Sequence, residues 1–146
     1  MLITFACILF PLMFLFRGLQ KNFIFVLYVS AMLGAAYFCE NNLGWNVTPF
    51  NKISFLLFIL FHFPLINLFT FFIYGIDKKK AKKGEWRVPE IQIHAMELLG
   101  GTIGAFIGQR FFHHKSKKKS FLAVFWALSL MQIVALIYII KYLHIW

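Results

Sequence analysis

Apolar residues fall in long runs along this chain, separated by short polar stretches. Residues 2–16 are apolar for 15 positions and carry Pro11, a little under the ~20 residues that a bilayer crossing usually takes. No basic leader or small-residue cleavage site accompanies them, so they read as a retained span. A short basic turn follows at residues 17–22, then a second apolar run at 23–39 that ends at Glu40, and the two runs predict a tight helical hairpin. Residues 40–52 are rich in Asn, contain Pro49 and read as a loop, with Trp45 suited to the headgroup level. Residues 53–76 are 24 nearly uninterrupted apolar positions, long enough to cross with tilt. Inside them Pro64 removes a ladder donor, and His62 and Asn67 are polar groups at membrane depth, expected to bond neighbouring helices. Residues 120–140 form the last apolar run, followed by a KYLHIW tail.

Between the third run and the last lies a polar, apolar, polar block. Residues 77–90 hold six cations and three acids. The lysines at 78, 79, 80, 82 and 83 continue the preceding helix and suit the negative end of its dipole, and Gly84 reads as the stop. Arg87, Val88, Pro89 and Glu90 read as a new helix start, with Pro89 in the first turn and the Glu90 carboxylate at the positive end, in reach of Arg87. Residues 91–109 would span about 28 Å as one helix, yet cationic loops flank them on both sides, and short Lys/Arg-rich loops stay in the cytoplasm. If this segment does not cross, thirteen of the fifteen cations share the cytoplasmic side: Arg17, Lys21, the six from Lys78 to Arg87 and the five from Arg110 to Lys119. If it crosses, the division is nine to six. The segment therefore reads as a re-entrant hairpin or interfacial helix with its break at Gly100 and Gly101, and with Gly100, Gly104 and Gly108 spaced for close helix packing.

Composition agrees. Hydrophobic residues make up 61% of the 146 and charged ones 14%, far from the roughly 45–50% apolar content of a soluble domain. The expected fold is all-α: a polytopic membrane protein with about four transmembrane helices plus the glycine-rich element, in one membrane domain whose residues 1–66 precede a core at 67–136. Cys7 and Cys39 sit in apolar runs and read as buried, inert thiols.

Phosphate loops, dinucleotide fingerprints, Cys-x-x-Cys pairs and nucleophile elbows are absent from the sequence. Glu90, His94 and Glu97 fall at i, i+4 and i+7 and would share one helical face, where two carboxylates and an imidazole suit acid–base chemistry. The face also matches plain helix capping and packing. A metal would need more ligands, with His113 and His114 nearest, so neither metal nor cofactor is assigned. The two lysine runs are juxtamembrane polybasic clusters, each cation worth roughly 1 kcal/mol near an anionic leaflet.

Asn67-Leu-x-Thr-Phe-x-x-Tyr74-Gly-Ile-Asp77-Lys78, then Trp86 to Glu90, His94, Gly100-Gly101-x-x-Gly104, and His114-Lys115-Ser116-x-Lys118-x-x-Phe121 together resemble a family of small bacterial membrane proteins known as a domain of unknown function. Some of its members carry a cold-shock domain ahead of the membrane part. The resemblance covers residues 67 to about 136 and implies membrane location. Glu97 stands where the pattern leads one to expect an apolar residue, and two apolar runs stand in place of the cold-shock module.

The expected protein lies in the bacterial inner membrane and works through its cytoplasmic face. Asn67, Asp77, Lys78, Arg87, Arg110, His114, Lys115 and Lys118 are its candidate binding residues, Glu90 and His94 its candidate acid–base pair, and Pro89, Gly100, Gly101 and Gly104 its structural positions. The leading expectation is a basic surface for anionic phospholipid, nucleic acid or a protein partner. The alternatives are an enzyme acting on a phosphate-bearing lipid headgroup, and a transporter-like component that would need a homo-oligomer to form a pathway.

Overall fold

A computed structural model describes residues 2–15, 23–45, 52–115 and 117–142. The basic turn expected at 17–22, most of the loop before Lys52, Ser116 and the end of the tail lie outside the described residues. The regular structure of the described residues is helical: α1 (Leu2–Leu15), α2 (Phe23–Asn42), α3 (Lys52–Lys83), α4 (Glu90–Met96), α5 (Thr102–Phe112) and α6 (Lys119–Tyr142). Three helices are long and apolar enough to cross a membrane, over Phe23–Asn42, Leu56–Lys83 and Lys119–Tyr138, and α1 is a shorter apolar helix. Leu56, Phe72, Trp126 and Val134 point outward from them. Such surfaces suit lipid, where the helix satisfies its own backbone and the side chains meet acyl chains.

The chain divides into two compact units, Met1–Phe69 and Thr70–Trp146, the division falling within α3. In the first unit α1 packs on α2 around Phe5, Leu9, Phe25, Tyr28 and Met32. Phe5 meets Phe58 edge-on with ring centroids 5.1 Å apart. His62 makes the interhelical bond expected of it, its Nδ1 lying 2.5 Å from the Tyr28 hydroxyl. Glu40 at the end of α2 accepts from the Leu2 amide at 3.2 Å, which sets a carboxylate at the positive end of α1. Asn67 turns back on its own helix, donating to the Phe63 carbonyl at 2.8 Å. Both cysteines are free, but only Cys39 is buried; Cys7 lies on the outer surface of α1, contrary to the expectation of two buried thiols.

The second unit is built around a broken helix. α3 carries its lysines in register to Lys83 and stops at Gly84, where φ is 68° and the Glu85 amide closes back on the Lys80 carbonyl at 3.0 Å. Pro89 stands one position earlier than expected, as the residue capping α4. After Met96 the backbone widens into one turn of π-type bonding over Glu97–Gly101 and breaks at Gly100, whose φ of 106° is open to glycine. The break leaves carbonyls to satisfy, and α6 does so: Gln132 Nε2 donates to Glu97 at 2.6 Å and to Leu98 at 3.1 Å. Thr102 in turn donates to Gln132 Oε1 at 2.5 Å. Beyond the break α5 lies hard against α3. A Cβ on Gly101 would overlap the Thr70 hydroxyl, and one on Gly108 would stand 3.0 Å from the Tyr74 Cβ.

Candidate functional site

Asp77 is the hub of the second unit. Its place on α3, one turn beyond Tyr74, turns both side chains toward the hairpin, and both are fully buried. The Asp77 carboxylate accepts from the Val88 amide at 3.0 Å and from His114 Nε2 at 2.7 Å. Lys115 Nζ lies 3.2 Å away and Arg87 3.6 Å. One buried anion thus ties together the end of α3, the strand of chain entering α4 and the loop leaving α5. A buried charge is tolerated when paired and hydrogen-bonded in this way.

Glu90 forms the outer half of the same cluster. Lys118 Nζ reaches both of its oxygens at 2.8 Å, and Lys115 Nζ stands 3.7 Å from Oε1. The hydrogen bond from Lys118, with the nearby Lys115 charge, holds the Glu90 carboxyl below its ordinary range. Arg87 turns to Asp77 and Glu90 to the lysines, so the expected first-turn pairing of Arg87 with Glu90 gives way to partners brought from the far side of the hairpin.

The loop after α5 is set by two residues in a conformation side chains seldom adopt. His113 has φ 48° and Lys115 φ 58°, each costing on the order of 1–3 kcal/mol. The first caps α5, with the His114 amide closing on the Gln109 carbonyl at 3.2 Å. The second turns the Lys115 side chain inward until 3% of it is exposed. An open concavity of about 380 Å³ lies over this loop, lined by His113, Lys115, Lys117 and Lys118.

Deeper in the unit a second polar group forms around Glu97, which is fully buried. Tyr74 donates to Glu97 Oε1 at 2.5 Å, Gln109 donates to the Tyr74 oxygen at 3.1 Å, and His94 Nδ1 lies 2.6 Å from Glu97 Oε2. With Glu97 ionised, Nδ1 of His94 would be the donor to it, which leaves Nε2 as the ring's acceptor. Phe121 joins the two groups: His94 stacks on it at 4.3 Å, and the Lys115 ammonium stands 4.8 Å over its ring.

The residues of the expected stripe, Glu90, His94 and Glu97, take different partners, His94 and Glu97 pairing in the interior while Glu90 joins the ion cluster outside. Asp77, Arg87, His114, Lys115 and Lys118 come together as one site. Lys78 is half-buried on α3, Arg110 lies over its helical neighbour Phe106 at 4.4 Å, and Asn67 belongs to the first unit. Sequence reasoning missed Tyr74, Gln109, Thr102 and Gln132. For Gln132 the available signal was an amide inside an otherwise apolar span. Among the described residues no group of three or more His, Cys, Asp or Glu is placed to hold a metal ion.

These geometries can be set beside known proteins. The profile of a family described as "Protein of unknown function (DUF1294)" matches residues 67–121. A Bacillus subtilis (strain 168) protein described as "Uncharacterized protein YsdA" is 37% identical over 65 residues, covering 44% of this chain and 73% of that protein. No solved structure matches. The matched stretch runs from the middle of α3 through the broken hairpin to Phe121 and holds every member of the ion cluster, and the chain belongs to this DUF1294 family of proteins of unknown function.

Proposed function

We propose that the chain is a four-span protein of the bacterial inner membrane whose residues 91–109 form a half-inserted hairpin, and that its cytoplasmic basic face binds anionic phospholipid. The observation that carries this reading is the meeting of the hairpin's two ends: Glu90, at its start, is bound by Lys118, beyond its end, and Asp77 is bound by His114. A segment whose ends touch returns to the side from which it came. Its depth supports the same reading. The tip packs against Thr70 on α3 and Gln132 on α6, about 10 Å from Asp77 and about 16 Å from Phe121 at 1.5 Å per residue, against ~30 Å of hydrocarbon. Both lysine runs then share one leaflet, where polybasic segments attract anionic lipid.

Native mass spectrometry of the full chain in mild detergent tests the lipid half of the proposal. Anionic phospholipid should co-purify in preference to zwitterionic lipid, and raising salt should strip it steeply. Equal retention of both lipid types would defeat it, and capture of oligonucleotide or a protein in place of lipid would transfer the basic face to that partner. A second reading has one observation in its favour. His94, aligned by Glu97 within reach of a cationic cluster, is arranged as a general base for chemistry on a phosphate-bearing headgroup. It requires His94→Asn to abolish headgroup turnover at unchanged melting temperature.

A further inference from the structure

We propose that the concavity lined by His113, Lys115, Lys117 and Lys118 is a binding site for a phosphate monoester carried on a membrane lipid. This deepens the basic-face reading and rests on it. Charge selects the ligand class. The three lysines that line the concavity, the carboxylates Asp77 and Glu90 that bind two of them, and Arg87, a further cation on Asp77, together leave a surplus of two positive charges. A phosphate monoester carries about −1.5 to −2 near neutral pH and matches that surplus, whereas a phosphodiester headgroup brings a single charge.

The cations are also held in place beforehand. Lys115 is nearly buried, with its ammonium fixed by Asp77, Glu90 and the Phe121 ring. Lys118 is anchored through both Glu90 oxygens. Donors already ordered by the protein lose little freedom when an anion arrives. The backbone of this loop takes positive φ at His113 and Lys115, the two lining residues that give the concavity its shape. At about 380 Å³ it falls in the range of small-ligand sites. Its position selects the lipid-borne source: Lys118 directly precedes α6, a helix of membrane-crossing length, which brings the concavity to the level of headgroups.

The test uses the full chain in phosphatidylcholine nanodiscs doped with either phosphatidic acid, a monoester, or phosphatidylglycerol, a diester, with bound lipid counted by native mass spectrometry. Phosphatidic acid should be retained at least tenfold better. Lys117→Glu, an exposed substitution, should remove that preference with the melting temperature unchanged, and Lys79→Glu, in the other lysine run, should preserve it. A competing titration with inorganic phosphate should displace phosphatidic acid poorly; displacement at matched concentrations would assign the site to soluble phosphate and overturn the lipid source. Equal retention of the two lipids, lowered alike by Lys117→Glu and Lys79→Glu, would overturn the site and leave the diffuse basic face standing. Retention of neither would overturn both.

Discussion

At the scale of single residues, the two carboxylates of the ion cluster separate the buried contribution from the exposed one. Asp77 is fully buried among Lys115, His114 and Arg87, so Asp77→Asn takes its main partner from the buried Lys115 cation and should destabilise the protein by about 3–5 kcal/mol. Glu90 is more than a third exposed, and Glu90→Gln should cost less than about 1 kcal/mol after solvent screening. The pH dependence follows from sign. The Glu90 carboxyl is depressed in the folded state by Lys118, so its contribution is full above the unfolded carboxylate value and is lost as pH falls through the folded one. Melting curves should show wild type above Glu90→Gln at neutral pH and the two converging in acid; a gap that persists there would contradict the ion pair. Asp77, His114, Lys115 and Lys118 stood among the expected binding residues because they lie in the two basic segments that flank the glycine-rich run and in the family-like pattern. The sequence could not pair them, since 37 residues separate His114 from Asp77 and only the folded hairpin closes that gap. Glu97 stood out in the sequence as an acid in an apolar position, and the structure supplies its reason, a bond to a tyrosine 23 residues away.

At the scale of elements, the hairpin depends on one backbone angle and one amide. Gly100 at φ 106° has no L-residue substitute free of strain, whereas Gly34 in α2 has open space around a new Cβ. Gly100→Ala should therefore destabilise by roughly 1–3 kcal/mol, and Gly34→Ala should stabilise by roughly 0.5–1 kcal/mol, measured by thermal unfolding in the same detergent. Similar behaviour of the two variants would mean that the break is not a fixed feature. A glycine pair within an apolar run made the break legible in advance. Its closure by Gln132 was not legible, because the bond is a contact between elements 34–35 residues apart and no local pattern encodes it. The same limit applies to α4, where helical periodicity grouped Glu90, His94 and Glu97 but could not give their partners. Lys118 arrives at Glu90 from 28 residues away, and Tyr74 reaches Glu97 from α3.

At the scale of the whole molecule, apolar runs located the three helices of membrane-crossing length, while α2 and α3 continue past the charge that ends each run, to Asn42 and Lys83. The proposed topology is checked by labelling single cysteines on a background lacking Cys7 and Cys39. A cysteine at Leu43 should react with an impermeant reagent added to intact cells, while cysteines at Gly84 and Lys117 should both stay protected. Reaction at Lys117 with protection at Gly84 would mean that residues 91–109 cross, and the half-inserted hairpin would be withdrawn.

The bond from Gln132 to the Glu97 and Leu98 carbonyls also imposes an order in time. The ribosome releases the hairpin well before it releases the residue that completes it. Until α6 is made, the Leu98 carbonyl lacks the Gln132 amide and the Glu97 carbonyl keeps only the long bond from the Thr102 hydroxyl at 3.4 Å, and in the proposed topology a poorly satisfied carbonyl in hydrocarbon would cost several kcal/mol. In the proposed half-inserted topology the nascent hairpin would wait at the aqueous surface, and its descent between the helices would be coupled to synthesis of the last span. On that proposed topology, membrane insertion would finish in the middle of the chain and not at its last span.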